Sequence, residues 1–316
     1  MGVFVLRRLL HAVPVIFFST FMVFMIIHLI PGDAAAVLAG PNATPQALAA
    51  IRADMGLDQP LPVQYAVWFG HIIQGDLGKS TLSGQPIIKL LQARAPATLE
   101  LTVAAMIISI SIAVPVGILS ATHVRGRLEW FISTMQSLWL AIPNFWAGIL
   151  AIIFFSLVLR WLPPGGRVAD GSNVAESIKS LILPAVTLSL YLAAGLSRFV
   201  KFNLLEVFFD DYVRTARAKG LGPNAVVYRH ALRNAMLPVI TILGIQFASL
   251  LGGAIIIESV FSWPGVGGMM IDGISNRDYA VVQGGLLLLV ILFIVINLLV
   301  DLTYAVLDPR LRLGNG

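Results

Sequence analysis

The sequence predicts an all-α, polytopic membrane protein with six transmembrane helices. The first observation is compositional: 58% of the 316 residues are hydrophobic and only 12% are charged, about half the ~25% usual for soluble domains. That balance excludes a water-soluble globular chain and a disordered one. The second is that six apolar stretches, at about 9–30, 100–122, 134–159, 181–199, 237–258 and 283–307, approach or exceed the ~20 residues a helix needs to cross ~30 Å of hydrocarbon. The third is that these runs do not alternate as the ~10-residue strands of a membrane barrel would.

Taken in order, the first stretch follows Arg7 and Arg8 and precedes Ala34-Ala35-Ala36, as a signal peptide would. Its apolar length of about 22 residues exceeds the ~7–15 of a signal core, so an uncleaved helix is expected. Residues 31–99 are hydrophilic, with turn punctuation at Pro31-Gly32, Gly40-Pro41, Pro60 and Pro62 and a short helical pattern from about 45 to 55. The third and fourth stretches contain Pro143 and Pro184, which are expected to kink or interrupt their helices. No internal repeat or low-complexity tract is visible.

Lys and Arg set the orientation. Segments 1–8, 123–133, 198–236 and 308–316 hold 13 bases in 67 residues, whereas 31–99, 160–180 and 259–282 hold 8 in 114. By the positive-inside rule both termini and the loop 198–236 are expected in the cytoplasm, with 31–99 outside. Acids run the other way, with ten outside, counting Glu100 and Glu258 at the outer ends of their spans, and five inside. The net +5 is thus a topology signal, and the absence of alternating bases and aromatics argues against nucleic acid.

Catalytic patterns fail one by one. The chain has no cysteine, so thiol nucleophiles and Cys-held metals are excluded. Gly75-Asp-Leu-Gly-Lys-Ser80 has two residues between its glycines, where a phosphate-cradling loop needs four. The five histidines (His11, His28, His71, His123, His230) form no pair at ligand spacing. Intramembrane polar groups are Asn144, Arg198, Gln246, Asn297 and Asp301. Arg198 and Asp301 lie near helix ends, where snorkelling or ion pairing is the plain reading. Asn144 and Gln246 either line a polar path or bond across helices.

The most informative stretch is 210–238, DDYVRTARAKGLGPNAVVYRHALRNAMLP. Asp210 and Asp211 suit a helix N-terminus, Arg217 and Lys219 its last turn, and Gly220 a left-handed stop. Pro223 suits the first turn of a second helix, ending at the Leu237-Pro238 break. Ala216, Ala218 and Gly220 expose little side chain, which would admit another protein's surface. A connector lying on anionic headgroups is the equal alternative.

This stretch resembles the cytoplasmic loop of ABC-importer permeases, in the dipeptide/oligopeptide/nickel branch. Arg214-Thr215-Ala216 stands where most of that superfamily has Glu-Ala-Ala, and the spacer to Pro238 is longer. Further matches run along the chain: Arg7-Arg8-Leu9-Leu10, Pro31-Gly32-Asp33, Gly56-Leu57-Asp58 with Pro60, Gln64-Tyr65, Gly75-Asp76-Leu77-Gly78, Glu258 to Gly265 (ESVFSWPG), Arg277-Asp278-Tyr279 and Asp308-Pro309-Arg310. The resemblance is to the first of the two permeases in such systems.

It implies a type I ABC importer transmembrane fold in the bacterial plasma (inner) membrane, and a non-catalytic subunit forming half of a pore for short peptides. Nickel complexes, glutathione and small saccharides are the alternative solutes. The implied partners are a second homologous permease, two ABC ATPases, an external substrate-binding protein and the lipid bilayer. No cofactor is implied in this chain, ATP and magnesium belonging to the ATPases. The implied divisions are 1–95 (first helix and external segment), 96–307 (permease core with coupling loop 198–236) and 308–316 (cytoplasmic tail). The implied ATPase-coupling residues are Asp211, Tyr212, Arg214, Thr215, Ala216, Arg217, Ala218, Lys219, Gly220 and Leu221. Asn144, Gln246, Glu258 and Trp263 are candidates for pore or gate, the last two in a loop that is as readily a structural cap. A self-contained channel or secondary transporter would show inverted repeats and paired intramembrane charges, and an intramembrane enzyme a nucleophile and base; neither is visible.

Overall fold

The computed structural model describes residues 2–29, 39, 43–54, 56–168 and 173–307. Pro31-Gly32-Asp33 and Asp308-Pro309-Arg310 lie outside the described residues, as do the side chains of Arg7, Arg8, His11, His28 and Asp301. The described elements are helices α1 (Gly2–Leu29), α2 (Pro45–Asp54), α3 (Leu61–Ile73), α4 (Ile87–Thr122), α5 (Arg127–Ala141), α6 (Asn144–Val158), α7 (Val174–Val207), α8 (Asp211–Ala218), α9 (Pro223–Val260), α10 (Val266–Ser275) and α11 (Tyr279–Leu307). The last half of α6, Ile152–Val158, and a section of α9, Val226–Ala231, are wound as π-helix.

Among the described residues, four helices, α4, α7, α9 and α11, are long and apolar enough to cross a membrane. The third sequence stretch is not one straight rod. Its halves α5 and α6 are apolar enough together but meet at 101°, and the bend falls at Ile142 and Pro143, where the proline was expected to act. In α1 the apolar stretch is the shorter Ala12–Met25. Among the described residues the fold is therefore all-helical, with four long spans, or five if the bent pair counts as one, against the six expected from sequence. Two proline expectations change: α7 runs through Pro184 and α9 through Pro238 without a break. A proline removes one N–H and one backbone bond, and in a packed bundle neighbouring groups absorb that loss.

The chain forms two compact units, Met1–Pro96 with Pro264–Ile294, and Ala97–Trp263 with Val295–Gly316. In the first, α1 and α3 meet through aromatics: Tyr65 lies edge-on to Phe17, Phe21 and Phe24, and its hydroxyl is 2.9 Å from Thr20 Oγ1. Gln64 Nε2 donates to the carbonyls of Leu57 (3.1 Å) and Gln59 (2.7 Å), pinning the turn that Gly56 makes at φ +64°. Farther along, Asp278 caps α11 and accepts from the Ser80 hydroxyl and the Thr81 amide. Ile87, Leu91, Val266, Met270 and Val281 form this unit's buried apolar cluster.

In the second unit, one cluster joins Leu101, Leu188, Leu250, Ile257, Phe261 and Trp263. Another joins α4, α7 and α9 through Ala113, Ile118, Leu196, Val200, Ala231 and Val239. Small residues let these helices close up: a Cβ on Gly117 would stand 2.7 Å from Val200 and 2.8 Å from the Ser197 carbonyl. Helix α5 is polar inward and apolar outward. Glu129, Gln136 and Ser137 pair with Lys201 (2.6 Å), Ser197 (2.8 Å) and Arg198 (2.6 Å) of α7, while Leu128, Trp130, Phe131 and Leu138 are exposed. In water that polarity would be reversed; in hydrocarbon, polar contacts bind helix to helix and apolar side chains face lipid.

Candidate functional site: the short helix between two spans

Helix α8 is two turns long and lies between the spans α7 and α9. Asp210 takes the cap position with extended backbone, and its carboxylate makes no capping bond. It and Asp211 therefore act on the helix N-terminus by charge. Thr215 Oγ1 bonds back to the Asp211 carbonyl at 2.9 Å. Arg214 pairs with Asp211 at 3.5 Å, both well exposed, a contact worth under about 1 kcal/mol.

What fixes α8 is its inner face. Val213 (0% exposed), Ala216 (5%) and Val226 (2%) form a closed cluster, with Val207 and Phe208 packed against it. Val207 and Phe208 also pack against the α4/α7/α9 core, so apolar contact is continuous from α8 to that core. The Arg217 guanidinium lies 5.7 Å from the centre of the Phe208 ring, a cation–π contact at the same junction. Val213, Val226 and Phe208 were not singled out from sequence; the i, i+3 spacing of Val213 and Ala216 was the available signal.

The helix stops as its sequence predicts. Gly220 has φ +78°, its amide bonds the Arg217 carbonyl at 2.9 Å, and Pro223 opens the first turn of α9. Of the three small residues expected to admit a partner's surface, Ala216 turns inward, because its methyl fills the space against Val226. Ala218 and Gly220 stand exposed, with Tyr212, Arg214, Thr215, Arg217, Lys219 and Leu221. Gly220→Val is expected to strain the turn by roughly 1–2 kcal/mol, since a left-handed φ crowds Cβ against the carbonyl, whereas Gly220→Asn, which tolerates that region, is expected to cost less. Limited proteolysis of the 208–223 segment in membranes checks the order: valine cleaved faster than asparagine, asparagine close to the parent chain.

The candidate pore residues do not form one group. Asn144 begins α6 and is half-buried, and Gln246 is half-buried on α9. Glu258 (1% exposed) and Trp263 (2%) are buried in the second unit. The Thr98 hydroxyl donates to Glu258 at 2.6 Å, and Trp263 Nε1 donates to the Ala97 carbonyl at 2.8 Å. Arg198 meets Ser137 rather than a carboxylate. Among the described residues no group of three or more His, Cys, Asp or Glu is placed to hold a metal ion.

Long apolar spans, an inverted-polarity helix pair and a short helix keyed between two spans define a multi-pass helical membrane protein. The chain belongs to the binding-protein-dependent transport system inner membrane component family, matching it over residues 113–313 and that family's N-terminal region over 1–102. It is 42% identical to a probable peptide ABC transporter permease protein of Sinorhizobium fredii, over 99% of this chain and 100% of that one. It is 40% identical to a glutathione transport system permease protein of Salmonella typhimurium, over 98% of each. Among solved structures, an inward-facing conformation of the MetNI methionine ABC transporter superposes with a TM-score of 0.57 at 20% identity, covering 70% of this chain and 98% of that one. That likeness concerns the fold. The resemblance to ABC-importer permeases is thus borne out along the chain.

Proposed function

We propose that this chain is one of two related permeases lining the pore of an ATP-driven importer of short peptides, with both termini in the cytoplasm. An external binding protein delivers the solute and two cytoplasmic ATPases drive it, holding the ATP and magnesium. The observation that carries the reading is the keyed helix α8, in a chain whose relatives bear peptide and glutathione names. Glutathione is itself a tripeptide, so both names point to one chemical class.

In this reading the ATPases grip the exposed face of α8. Closure on ATP then moves α8 as a rigid body, and the Val213–Ala216–Val226 cluster passes the motion to the ends of α7 and α9. Packed elements of this kind have discrete arrangements rather than a continuum. ATP shifts their balance only through differential affinity for the two states. The chain contributes coupling and half of a path; the chemistry of hydrolysis belongs to its partners.

Reconstitution with cognate ATPases and a cognate binding protein tests this. Labelled di- and tripeptides should accumulate in vesicles only with both ATP and the binding protein. Accumulation driven by an ion gradient without ATP would instead make the chain a self-contained secondary transporter. Orientation is open to a direct test because the chain has no cysteine, so each introduced one is unique. Cysteines at 124 and 221 are expected to react with an impermeant maleimide only after permeabilisation, and those at 59 and 276 in intact cells.

A further inference from the structure

We propose that the second unit holds an anionic phospholipid, with its phosphate on Arg198 and one acyl chain in the cavity at the α5–α6 bend. Two independent observations converge. The first is the cavity, about 280 Å³ in volume, lined almost wholly by apolar side chains, among them Trp139, Ile142, Ala147, Leu150, Phe154 and Leu190. The 101° bend opens it, and its rim is exposed, with Leu150 at 42% and Phe154 at 53%. It therefore opens sideways, as a lateral entry from hydrocarbon does. The outward apolar face of α5 places the same surface against lipid.

The second is the charge above it. Arg198 donates to the Ser137 hydroxyl at 2.6 Å, and among the described residues no carboxylate stands within ion-pair distance of it. Its neighbour Lys201 has Glu129 at 2.6 Å. A guanidinium carries five donors, so most of its fork is open to a planar or tetrahedral anion, the geometry that Arg recognises in phosphate. Ser137 lies two residues from Trp139 of the cavity wall. On α7, Arg198 lies eight residues beyond Leu190, about 12 Å along the axis. Cation and apolar cavity thus share two helices at the separation of a headgroup from its chain. A free phosphate would satisfy the cation and leave the cavity; a neutral lipid would do the reverse.

Placing this lipid in the cytoplasmic leaflet rests on the proposed orientation, but its binding does not. Lipid retention is read in detergent, while cysteine labelling reads orientation, so either can fail alone. The assembled complex is equilibrated with vesicles of equal phosphatidylglycerol and phosphatidylethanolamine, extracted, and its retained lipid quantified by native mass spectrometry. Retention of phosphatidylglycerol at least fivefold above the vesicle ratio is expected. Arg198→Gln should return the ratio to that of the vesicle, Arg198→Lys should keep part of the preference, and Ala147→Phe should reduce retention of both lipids. Arg127→Gln, an exposed arginine on α5 away from the cavity, should change nothing. Thermal midpoints establish that each variant is folded, and the Lys and Phe variants carry the test if Arg198→Gln is not. No headgroup preference in the parent chain overturns the proposal, as does unchanged retention in folded Arg198→Gln or Ala147→Phe. So does a photoreactive group at position 150 that labels the partner permease instead of lipid.

Discussion

Val213→Asp is expected to abolish uptake by the reconstituted importer, lowering the initial rate at least a hundredfold while the subunit still inserts and assembles. Val213 is fully buried and one of three side chains closing the contact between α8 and the start of α9. A carboxylate there faces Ala216 and Val226, which offer it no donor. Leaving it buried and unpaired costs several kcal/mol, whereas a hundredfold rate change needs only about 2.7 kcal/mol. The cheaper outcome is for α8 to leave its seat. In the proposed importer the exposed face can then still meet an ATPase, but its motion no longer reaches α7 and α9. ATP hydrolysis should persist and lose its stimulation by solute, while membrane extraction recovers normal amounts of subunit. Unchanged uptake would show that α8 transmits nothing through this cluster.

The same helix shows what the sequence made legible. Its start at Asp211, its glycine stop and the following Pro223 are local features, set by backbone chemistry at single positions. They are readable because no distant residue decides them. Pro143 belongs with them: the residue before a proline is pushed out of the helical region, and the chain turns there by 101°. Pro184 and Pro238 carry the same local signal, yet their helices continue, because packing decides whether one lost backbone bond breaks a span. The inward turn of Ala216 is likewise tertiary. Alanine is small enough for either face, and only Val226, ten residues on, selects the inner one.

Several segments that carry the family resemblance have plain folding roles. Gly56, Gln64 and Tyr65 fix the α1–α3 corner. Gly75 and Gly78 adopt φ +80° and +78°, with Asp76 accepting the Gly78 amide at 2.9 Å. Asp278 ties Ser80 and Thr81 to the start of α11. Each of these positions demands one residue type, for a positive φ or a specific acceptor, and that folding role is reason enough for the residue found there. The polar seam Glu129–Lys201, Gln136–Ser197 and Ser137–Arg198 was invisible for the opposite reason. Its partners lie 61 to 72 residues apart, and a Ser or Gln in an apolar run does not name its partner.

Trp263→Ala is expected to lower the thermal midpoint of the detergent-solubilised subunit by on the order of 10 °C, from a loss of about 3–5 kcal/mol in core packing. Trp263 is among the largest fully buried side chains in the chain. Its indole N–H holds the Ala97 carbonyl, and its own amide bonds the Glu258 carbonyl at 2.8 Å. Truncation would therefore open a cavity and remove the indole's bond to α4 together. Trp263→Phe separates the two losses: most of the apolar volume stays, and the lost indole bond costs about 0.5–1.5 kcal/mol, because the Ala97 carbonyl keeps its place in the backbone ladder of α4. If Trp263 instead met solute as a gate residue, the Phe variant would change the solute concentration needed for half-maximal uptake and leave the midpoint alone. The buried geometry predicts the reverse, a graded loss of midpoint from Trp to Phe to Ala with the half-maximal concentration unchanged in Phe. Glu258 answers to the same test, because Thr98→Val removes a hydroxyl that donates to its carboxylate within this core. A packing role makes Thr98→Val and Trp263→Phe couple in a double-mutant cycle, since both loosen the contact of residues 97 and 98 with the end of α9. Independent effects from these neighbours would return both side chains to the list of candidate gate contacts.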